Sequence, residues 1–334
     1  MIEPMEPSNL LTFSAFPERV RLDGFDDDLL QGLQALLVRL SEVGFEEAPY
    51  RVTAHVATGE ALRIDGVAAT RRPALRFVPG PDEDLVMMAA GRVRLAPARP
   101  SAVLEIRPTS GGISAYAASV LTEAALTHAL ALRGRAVLHA AALELGGTSI
   151  LAAGSTKAGK STLAAAVLRA GGGVVSDDSV VLGADDQGAV VAGALRRDVW
   201  FRKGTVDLLP DGLRSRLREG SSFGERRWGL ERQSSRSGFR EHVQPDVVIL
   251  LRRDARMRAM RIANISAAEA LAGLIRATSP LFLSGRYPVE RERLLPVLTS
   301  LANDTPCFAV RMGRILLEDP ERAVEEMVGR IMVR

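Results

Sequence analysis

The sequence that decides the fold runs from residue 148 to residue 168. It reads Thr148-Ser149-Ile150-Leu151-Ala152-Ala153, then Gly154-Ser155-Thr156-Lys157-Ala158-Gly159-Lys160-Ser161-Thr162, then Leu163-Ala164-Ala165-Ala166-Val167-Leu168. The first run is apolar and typical of a short buried strand, whereas the last run favours a helix. The loop between them contains the pattern Gly-x-x-x-x-Gly-Lys-Ser, in the strand–loop–helix setting where this pattern binds phosphate. The stretch therefore predicts a nucleotide-binding loop in an α/β fold, and the alternative is a fortuitous glycine-rich turn.

The spacing within this loop follows from phosphate chemistry. Gly154 and Gly159 let the backbone curl so that successive amides point at phosphate oxygens, beside the amino terminus of a helix. Lys160 can reach the β- and γ-phosphates, and the Ser161 hydroxyl can bind Mg²⁺. The predicted nucleotide-binding residues are Gly154, Ser155, Thr156, Lys157, Ala158, Gly159, Lys160, Ser161 and Thr162.

A pair of aspartates follows the next short β run of the sequence. Asp177 and Asp178 come directly after Val174-Val175-Ser176. Parallel sheets present catalytic groups at the carboxyl ends of their strands, so both carboxylates are expected beside the phosphate loop. One could accept a proton from an attacking hydroxyl while the other holds Mg²⁺. The alternative is an ordinary Asp-Asp turn between two strands.

One histidine lies on the strand that precedes the phosphate loop. His139 is flanked by Leu138 and Ala140, and a lone histidine on an apolar strand is either a satisfied core residue or a part of the site. The remaining histidines and the single cysteine, Cys307, have no metal-ligand spacing, so we expect no zinc site.

The rest of the chain divides by its periodicity. Residues 1–112 mostly alternate with period two, which predicts a β-rich α+β amino-terminal region. Its predicted strands cover residues 11–16, 51–56, 74–78, 91–95 and 102–106, with one leucine-rich helix from Asp26 to Leu40. Residues 113–334 are predicted to form an α/β domain, with strands over 136–145, 148–153, 173–176 and 246–251 and helices over 113–132, 160–170, 266–276, 289–302 and 320–332. The Arg-, Ser- and Gly-rich residues 211–244 lack periodicity and are predicted to form a long mobile loop.

Composition excludes several classes of protein. The chain has 334 residues, of which 47% are hydrophobic and 25% charged. That balance excludes a chain that is disordered throughout, and a single cysteine excludes a disulfide scaffold. Because no apolar run has membrane-spanning length and the acidic start contains prolines, we expect a cytoplasmic protein with no membrane contact and no signal peptide.

The basic residues are unevenly spread. The stretch from Arg196 to Arg261 contains 17 basic and 9 acidic residues, so it carries +8 within a net charge of +3. Only 4% of the residues are aromatic, which argues against a stacking platform for nucleic acid. The stretch is either a solvated arginine-rich region or a surface for an anionic ligand or acidic peptide.

Three elements of the sequence resemble a known enzyme family when they are taken in order. They are Leu138-His139-Ala140-Ala141-Ala142-Leu143, the phosphate loop, and Ser176-Asp177-Asp178-Ser179-Val180. Together they resemble the catalytic domain of HPr kinase/phosphorylase, and more closely the HPr-kinase-related proteins of lasso-peptide and other modified-peptide biosynthesis. The resemblance implies the phosphate-loop (P-loop) kinase fold shared with phosphoenolpyruvate carboxykinase, and family members often form homo-oligomers. It also implies that Asp177 activates an acceptor serine, that Asp178 lies with Ser161 at the metal and phosphate site, and that His139 lies beside the pair.

The sequence departs from the family at two places. Thr156-Lys157 stands where the family has Ser-Gly, and the glycine-rich signature that follows the aspartates in bifunctional HPr enzymes has no convincing copy. The resemblance therefore implies neither phosphorylase activity nor HPr as substrate. Lys203 falls where relatives carry a strand with a basic residue, so a phosphate or acceptor contact and a solvated strand end both stay open.

These features predict an ATP- and Mg²⁺-dependent kinase that phosphorylates a hydroxyl, serine above all, of a peptide or protein such as a lasso-peptide precursor. The predicted catalytic residues are Asp177, Asp178, His139 and Lys160, and the predicted metal ligands are Ser161 and Asp178. One alternative is a small-molecule kinase that acts on a sugar acid or free serine. The other is a non-catalytic ATP-binding scaffold in a peptide-maturation complex.

Overall fold

The computed structural model describes most of the chain and divides it into two compact units. Unit 1 contains Met1–Arg133 and Ser284–Arg291, and unit 2 contains Gly134–Leu283 and Glu292–Arg334. Unit 1 is therefore larger than the predicted amino-terminal region, which ends at residue 112. The described residues are 8–13, 19–23, 25, 29–30, 38–41, 50–56, 76–88, 90–106, 108–109, 112–113, 115–185, 187–196, 198–222, 225–231, 238–278 and 280–333.

Unit 1 is built on an eight-stranded sheet, and a long helix packs on three of its strands. Its strands are β1 (Ser8–Phe13), β2 (Arg19–Asp23), β3 (Val38–Ser41), β4 (Arg51–Val56), β5 (Arg76–Val78), β6 (Asp84–Met88), β7 (Gly91–Leu95) and β8 (Ser101–Ile106). They are arranged in the order β3-β1-β2-β4-β8-β7-β6-β5, and a short pair, β9 (Pro108–Thr109) with β10 (Gly112–Ile113), follows. Helix α1 (Ala115–Ala131) packs on β6, β7 and β8. Alternate residues of β7 are buried, as the period-two pattern predicts.

The predicted leucine-rich helix of unit 1 extends too far along the chain. Leu29 and Leu30 are helical, but Leu40 lies on β3, so the predicted helix end at Leu40 is wrong. Leucine suits the apolar face of a helix and that of a strand equally, and the repeat therefore continued across the boundary. The remaining residues of the prediction, 26–28 and 31–37, lie outside the described residues.

A buried chain of hydrogen bonds crosses the interior of unit 1. The Tyr50 hydroxyl donates to His128 Nδ1 at 2.7 Å, and His128 Nε2–H donates to Glu290 Oε1 at 2.9 Å, with the tautomer assigned from this network. The Ala98 amide donates to the same carboxylate oxygen at 2.8 Å. His128 and Glu290 are fully buried. Because Glu290 belongs to the segment Ser284–Arg291, this network ties that returning segment to the sheet and to α1.

Unit 2 is an α/β structure around a nine-stranded mixed sheet. Its strands are β11 (Ala136–Leu145), β12 (Thr148–Ala153), β13 (Gly173–Ser176), β14 (Ser179–Ala184), β15 (Val190–Ala194), β16 (Asp198–Phe201), β17 (Arg218–Ser222), β18 (Glu225–Glu231), β19 (His242–Val243), β20 (Val247–Arg253), β21 (Arg261–Asn264) and β22 (Cys307–Met312). Its helices are α2 (Lys160–Arg169), α3 (Lys203–Val206), α4 (Asp211–Arg214), α5 (Ala267–Ala277), α6 (Pro288–Asp304, whose first turn belongs to unit 1), α7 (Ile315–Glu318) and α8 (Pro320–Met332), with a 3₁₀ helix at Pro280–Leu283. The main sheet has the order β19-β15-β14-β11-β12-β20-β22-β21, with β13 paired to β11, while β16, β18 and β17 form a separate sheet.

The core of unit 2 lies between one face of this sheet and helices α2 and α8. On β20 and β22 the core residues alternate along each strand, and they include Ile249, Leu251 and Val310. Helix α2 contributes Ala164, Ala165 and Ala166, all fully buried, and their small side chains allow the helix to approach the sheet closely. The helix that follows the phosphate loop is thereby fixed on the sheet.

The structure confirms a mixed α/β architecture that is preceded by a β-rich region. The predicted strands 136–145, 148–153 and 173–176 have the bounds that the structure gives to β11, β12 and β13. The predicted long loop over 211–244 is wrong, because α4, β17, β18 and β19 lie within it. The strands β17 and β18 belong to a small polar sheet in which the Trp200 ring lies against Gly220 and Gly229. Strands β17 and β18 form a hairpin, and β18 also pairs with the more distant β16. Because these strands are mostly polar, they lack the apolar alternation that a periodicity search detects.

We expect Glu290→Gln to lower the free energy of unfolding at neutral pH by about 1–3 kcal/mol, because it disturbs a fully buried hydrogen-bonded carboxylate. Burial alone would raise the pKa of Glu290, but the hydrogen bonds from His128 and from the Ala98 amide hold it below the usual 4.5. A depressed pKa stabilises the folded state above the usual pKa and loses this effect as the pH falls through the folded value. The difference between wild type and variant in urea unfolding should therefore shrink below pH 4.5.

Tyr50→Phe is the matched control for this prediction. Burial raises the pKa of Tyr50 well above its ordinary value, so the hydroxyl stays protonated and its loss should cost the same free energy at every pH in the series. A Glu290→Gln deficit that is equally constant with pH would contradict the assignment of a charged Glu290.

Candidate active site

Strand β11 is the scaffold of the candidate site. Its carboxyl-terminal half pairs with β13 and its amino-terminal half pairs with β14, both antiparallel, with His139 opposite Ser179. Strands β13 and β14 thus lie end to end along β11, and residues 177–178 form the break between them. The Ala140 amide donates to the Asp178 carbonyl at 3.1 Å and the Leu195 amide donates to the Ser179 carbonyl at 3.2 Å. The backbone that carries both aspartates is therefore fixed by its neighbours on either side.

Asp178 lies between a histidine and an arginine. His139 Nδ1 is 2.8 Å from Asp178 Oδ1, and Arg196 Nη1 donates to Asp178 Oδ2 at 3.3 Å. Burial would raise the pKa of Asp178, but the hydrogen bond from His139 and the charges of Arg196, His139 and Lys160 together lower it to about 2. Asp178 is consequently ionised at neutral pH. Its side chain is 31% exposed, so the carboxylate remains accessible to a ligand.

Asp177 has a different environment from its neighbour. It is buried, and its carboxylate accepts a hydrogen bond from the Ser161 hydroxyl. Burial and the adjacent Asp178 charge raise the pKa of Asp177 to about 7, although Ser161 and Arg196 act in the opposite direction. Two adjacent carboxylates thus have widely separated pKa values, an arrangement found where acids and bases are assigned to different tasks.

The phosphate loop joins β12 to α2, as the sequence predicts. Gly159 precedes α2 with φ 106°, a conformation that favours glycine. A Cβ at Gly154 would lie 2.6 Å from the Leu251 carbonyl oxygen of the neighbouring strand β20, so the loop packs too closely there for any larger residue. The left-handed backbone of Gly159 and the close contact at Gly154 explain why the loop has glycine at both ends.

Lys160 folds back onto its own loop. Its ammonium donates to the Gly154 carbonyl at 2.8 Å and to the Ser155 carbonyl at 3.1 Å. Burial lowers the pKa of Lys160 to about 8, against the opposite effect of Asp178 and Asp177. The ammonium is therefore a buried cation at the loop, near both aspartates, and it can exchange the two carbonyls for phosphate oxygens.

The structure brings together the residues that the sequence predicts for this site. Lys160, Ser161, Asp177, Asp178 and His139 are linked by the hydrogen bonds and charge interactions described above. Three loop residues, Ser155, Thr156 and Lys157, are exposed, while Ala158 is buried and Gly154, Gly159 and Thr162 are partly buried. The exposed residues form the rim of the loop.

Two further basic residues, Arg196 and Lys203, belong to the surroundings of the site. Arg196 contacts Asp178, yet the sequence offers only a basic stretch that begins at this residue, and no motif marks it. Lys203 is exposed at the start of α3, which is fixed beside α2 by the Thr205 and Thr162 hydroxyls at 3.4 Å. A contact between Lys203 and a phosphate or acceptor stays a prediction.

The oxygen donors of the site suit magnesium. A hydroxyl and a carboxylate, those of Ser161 and Asp177, are in contact, and Mg²⁺ prefers one or two such protein oxygens together with substrate phosphates. Among the described residues, no group of three or more His, Cys, Asp or Glu side chains could hold a metal by itself. The residues present therefore fit a metal that is shared with a phosphate ligand.

A scan against protein-family models finds no matching family, and a search among curated proteins finds no match either. None of the helices in the described part of the chain has the length and apolar character needed to cross a membrane.

Lys157 is the unusual residue of the loop, because it has φ 68° without being glycine. We expect the free energy of unfolding of Lys157→Gly to exceed that of Lys157→Ala by about 1 kcal/mol, because only alanine is strained in the left-handed conformation. Urea unfolding of the two variants measures this difference. Both variants lack the ammonium, so the pair separates backbone strain from charge. Equal stability of the two variants would show that the loop relaxes out of the left-handed conformation.

Proposed function

We propose that the protein is an ATP- and Mg²⁺-dependent kinase of the P-loop type, which transfers the γ-phosphoryl group to a hydroxyl of a peptide or protein, serine above all. The observation that carries this proposal is the closeness of the two aspartates to the phosphate loop, because Asp177 accepts a hydrogen bond from Ser161 and both carboxylates interact with the charge of Lys160. The resemblance to HPr-kinase-related proteins supports the same reaction and the same residues.

The loop residues bind and orient the nucleotide in this proposal. The amides of residues 154–162 and the start of α2 would surround the phosphates, and Lys160 would exchange the Gly154 and Ser155 carbonyls for phosphate oxygens. Its ammonium then neutralises charge where the phosphoryl group is transferred. Ser161 and Asp177 would hold Mg²⁺, which when bound neutralises phosphate charge.

The contacts favour a division of labour between the aspartates that is opposite to the one the family resemblance implies. The Ser161 hydroxyl bonds to Asp177 and not to Asp178, so we assign Asp177 to the metal side. Asp178 is ionised, partly exposed and held by His139 and Arg196, so we assign it to the acceptor. The acceptor oxygen would form its bond to phosphorus as the bond to the leaving ADP oxygen breaks, with the hydroxyl proton passing to Asp178.

The low pKa of Asp178 is compatible with this role. Phosphoryl transfer passes through a loose transition state in which positioning contributes more than base strength. A carboxylate fixed from both sides orients the acceptor hydroxyl toward the phosphorus, and the neighbouring His139 and Arg196 keep it charged. His139 and Arg196 are therefore positioning residues for Asp178 in this scheme.

The test is transfer of labelled γ-phosphate from ATP to a panel of serine-containing peptides. We expect Asp178→Asn to lower turnover by roughly a hundredfold or more while ATP affinity is retained, because it removes the proton acceptor. Asp177→Asn should instead raise the Mg²⁺ concentration needed for half-maximal rate. Asp185→Asn is the matched control, since Asp185 accepts turn hydrogen bonds from the Gln187 and Ala189 amides that asparagine can also accept.

Each alternative predicts a distinct result in the same assay. Labelling of a sugar acid or free serine, with every peptide unlabelled, would replace the proposal with a small-molecule kinase. ATP binding with no transfer to any acceptor would favour a non-catalytic scaffold. Full activity of Asp178→Asn together with loss in Asp177→Asn would restore the assignment of the proton to Asp177.

A further inference from the structure

We propose that a row of three arginines on the main sheet of unit 2 docks an acidic segment of the acceptor peptide. The row consists of Arg252 on β20, Arg311 on β22 and Arg261 on β21, and is called the arginine row below. Its assignment to the acceptor rests on the proposed kinase function, whereas its capacity to bind an acidic peptide does not.

The strand register aligns the three side chains. Arg252 pairs with Arg311 across the parallel strands, and Arg311 pairs with Arg261 across the antiparallel strands. Residues that are opposite one another on neighbouring strands share a face of the sheet. The adjacent residues Leu251, Val310 and Ile262 belong to the core on the opposite face, so the three arginines project from the other face. All three are exposed.

The arginine row has no acidic partner within the described residues. None of its members forms an ion pair or a side-chain hydrogen bond there. Two acids close to the row in sequence have other partners, because Asp254 accepts the Arg256 amide and Glu318 pairs with Arg258 and Arg314. Like charges directly opposite one another destabilise a sheet. Three unpaired guanidinium groups in register therefore oppose folding and favour an anionic ligand.

The arginine row begins next to the phosphate loop. Strand β20 is the immediate neighbour of β12, and the Leu251 carbonyl lies against Gly154. From there the row extends away from the loop over β22 and β21, roughly 10 Å in all given ordinary strand spacing. The next residue, Arg253, is on the opposite face, where it lies near Gly159. The row is consequently close to the candidate active site yet separate from the loop residues assigned to the nucleotide.

The chemistry of this surface favours an acidic peptide over nucleic acid. The next residues of the three strands on the same face are Ala309, Ala263 and Leu250, none of them aromatic, and Leu250 packs against Gly273 of α5. Single-stranded nucleic acids need aromatic side chains on which bases stack. Guanidinium groups bind carboxylates well without such a platform, since their fork of donors matches two oxygens.

The experiment measures binding of a short fluorescein-labelled peptide of alternating Glu and Ser by anisotropy, without ATP. We expect Arg261→Gln/Arg311→Gln to bind it about tenfold more weakly than wild type, with affinity that decreases as salt rises. The matched control is Arg276→Gln/Arg322→Gln, which removes the same charge from exposed positions of α5 and α8 and should bind normally. ATP affinity should be unchanged in both double variants.

Stability separates docking from a structural role. Relief of like-charge repulsion should leave Arg261→Gln/Arg311→Gln as stable as wild type or more stable in urea, whereas structural arginines would lower the stability when replaced. Equal peptide binding by the two double variants would overturn the proposal, as would tighter binding of an oligo-dT strand or of anionic vesicles than of the peptide. Row-dependent binding with no phosphoryl transfer to any peptide would leave docking standing and refute the proposed peptide-kinase function.

Discussion

The antiparallel pairing of β11 with both β13 and β14 is the constraint on which the candidate site depends. One strand serves two successive partners, so the chain must break between them, and the break contains Asp177 and Asp178. The hydrogen bond from the Ala140 amide to the Asp178 carbonyl fixes this break through the backbone. Since β12, the next strand after β11, leads into the phosphate loop, the same pairing sets where the carboxylates lie relative to Lys160 and Ser161.

The electrostatics of the site follow from the placement of two carboxylates side by side in this break. Two neighbouring carboxylates that are largely removed from water cannot both be ionised at low cost. Contacts with His139 and Arg196 stabilise the charge of Asp178, and the pKa of Asp177 rises instead. Lys160 adds a buried positive charge, itself held by loop carbonyls. The site thus holds a cation and an anion in fixed positions, which is the preorganisation that the proposed phosphoryl transfer would use.

The sequence predicted this site better than it predicted its surroundings. The phosphate loop and β11 to β13 could be located because glycine spacing and short apolar runs are local signals. Arg196 could not, because its contact with Asp178 depends on where β15 ends beside β14, a property of the sheet. Strands β17 and β18 were predicted to be part of a loop, because their polar sequence shows no apolar alternation, although they form a hairpin with each other and β18 pairs with β16. The roles proposed for Asp177 and Asp178 likewise depend on which of them Ser161 contacts, and two adjacent identical residues give no sign of this in the sequence.

Charge divides the edge of the main sheet on either side of the phosphate loop. On the β11 and β14 side lie the carboxylates of Asp177 and Asp178, and on the β20, β22 and β21 side lies the arginine row. The arginine row sets like charges close together, and the carboxylates of Asp177 and Asp178 repel each other even though His139 and Arg196 stabilise the charge of Asp178. Fully buried alanines of β11, β12 and α2 pack beneath the loop and supply close contacts that offset such costs. Like charges grouped in this way cost stability that the packing of the core must offset. Such grouping is expected where a surface binds cationic and anionic ligands, and not where folding alone shapes the surface.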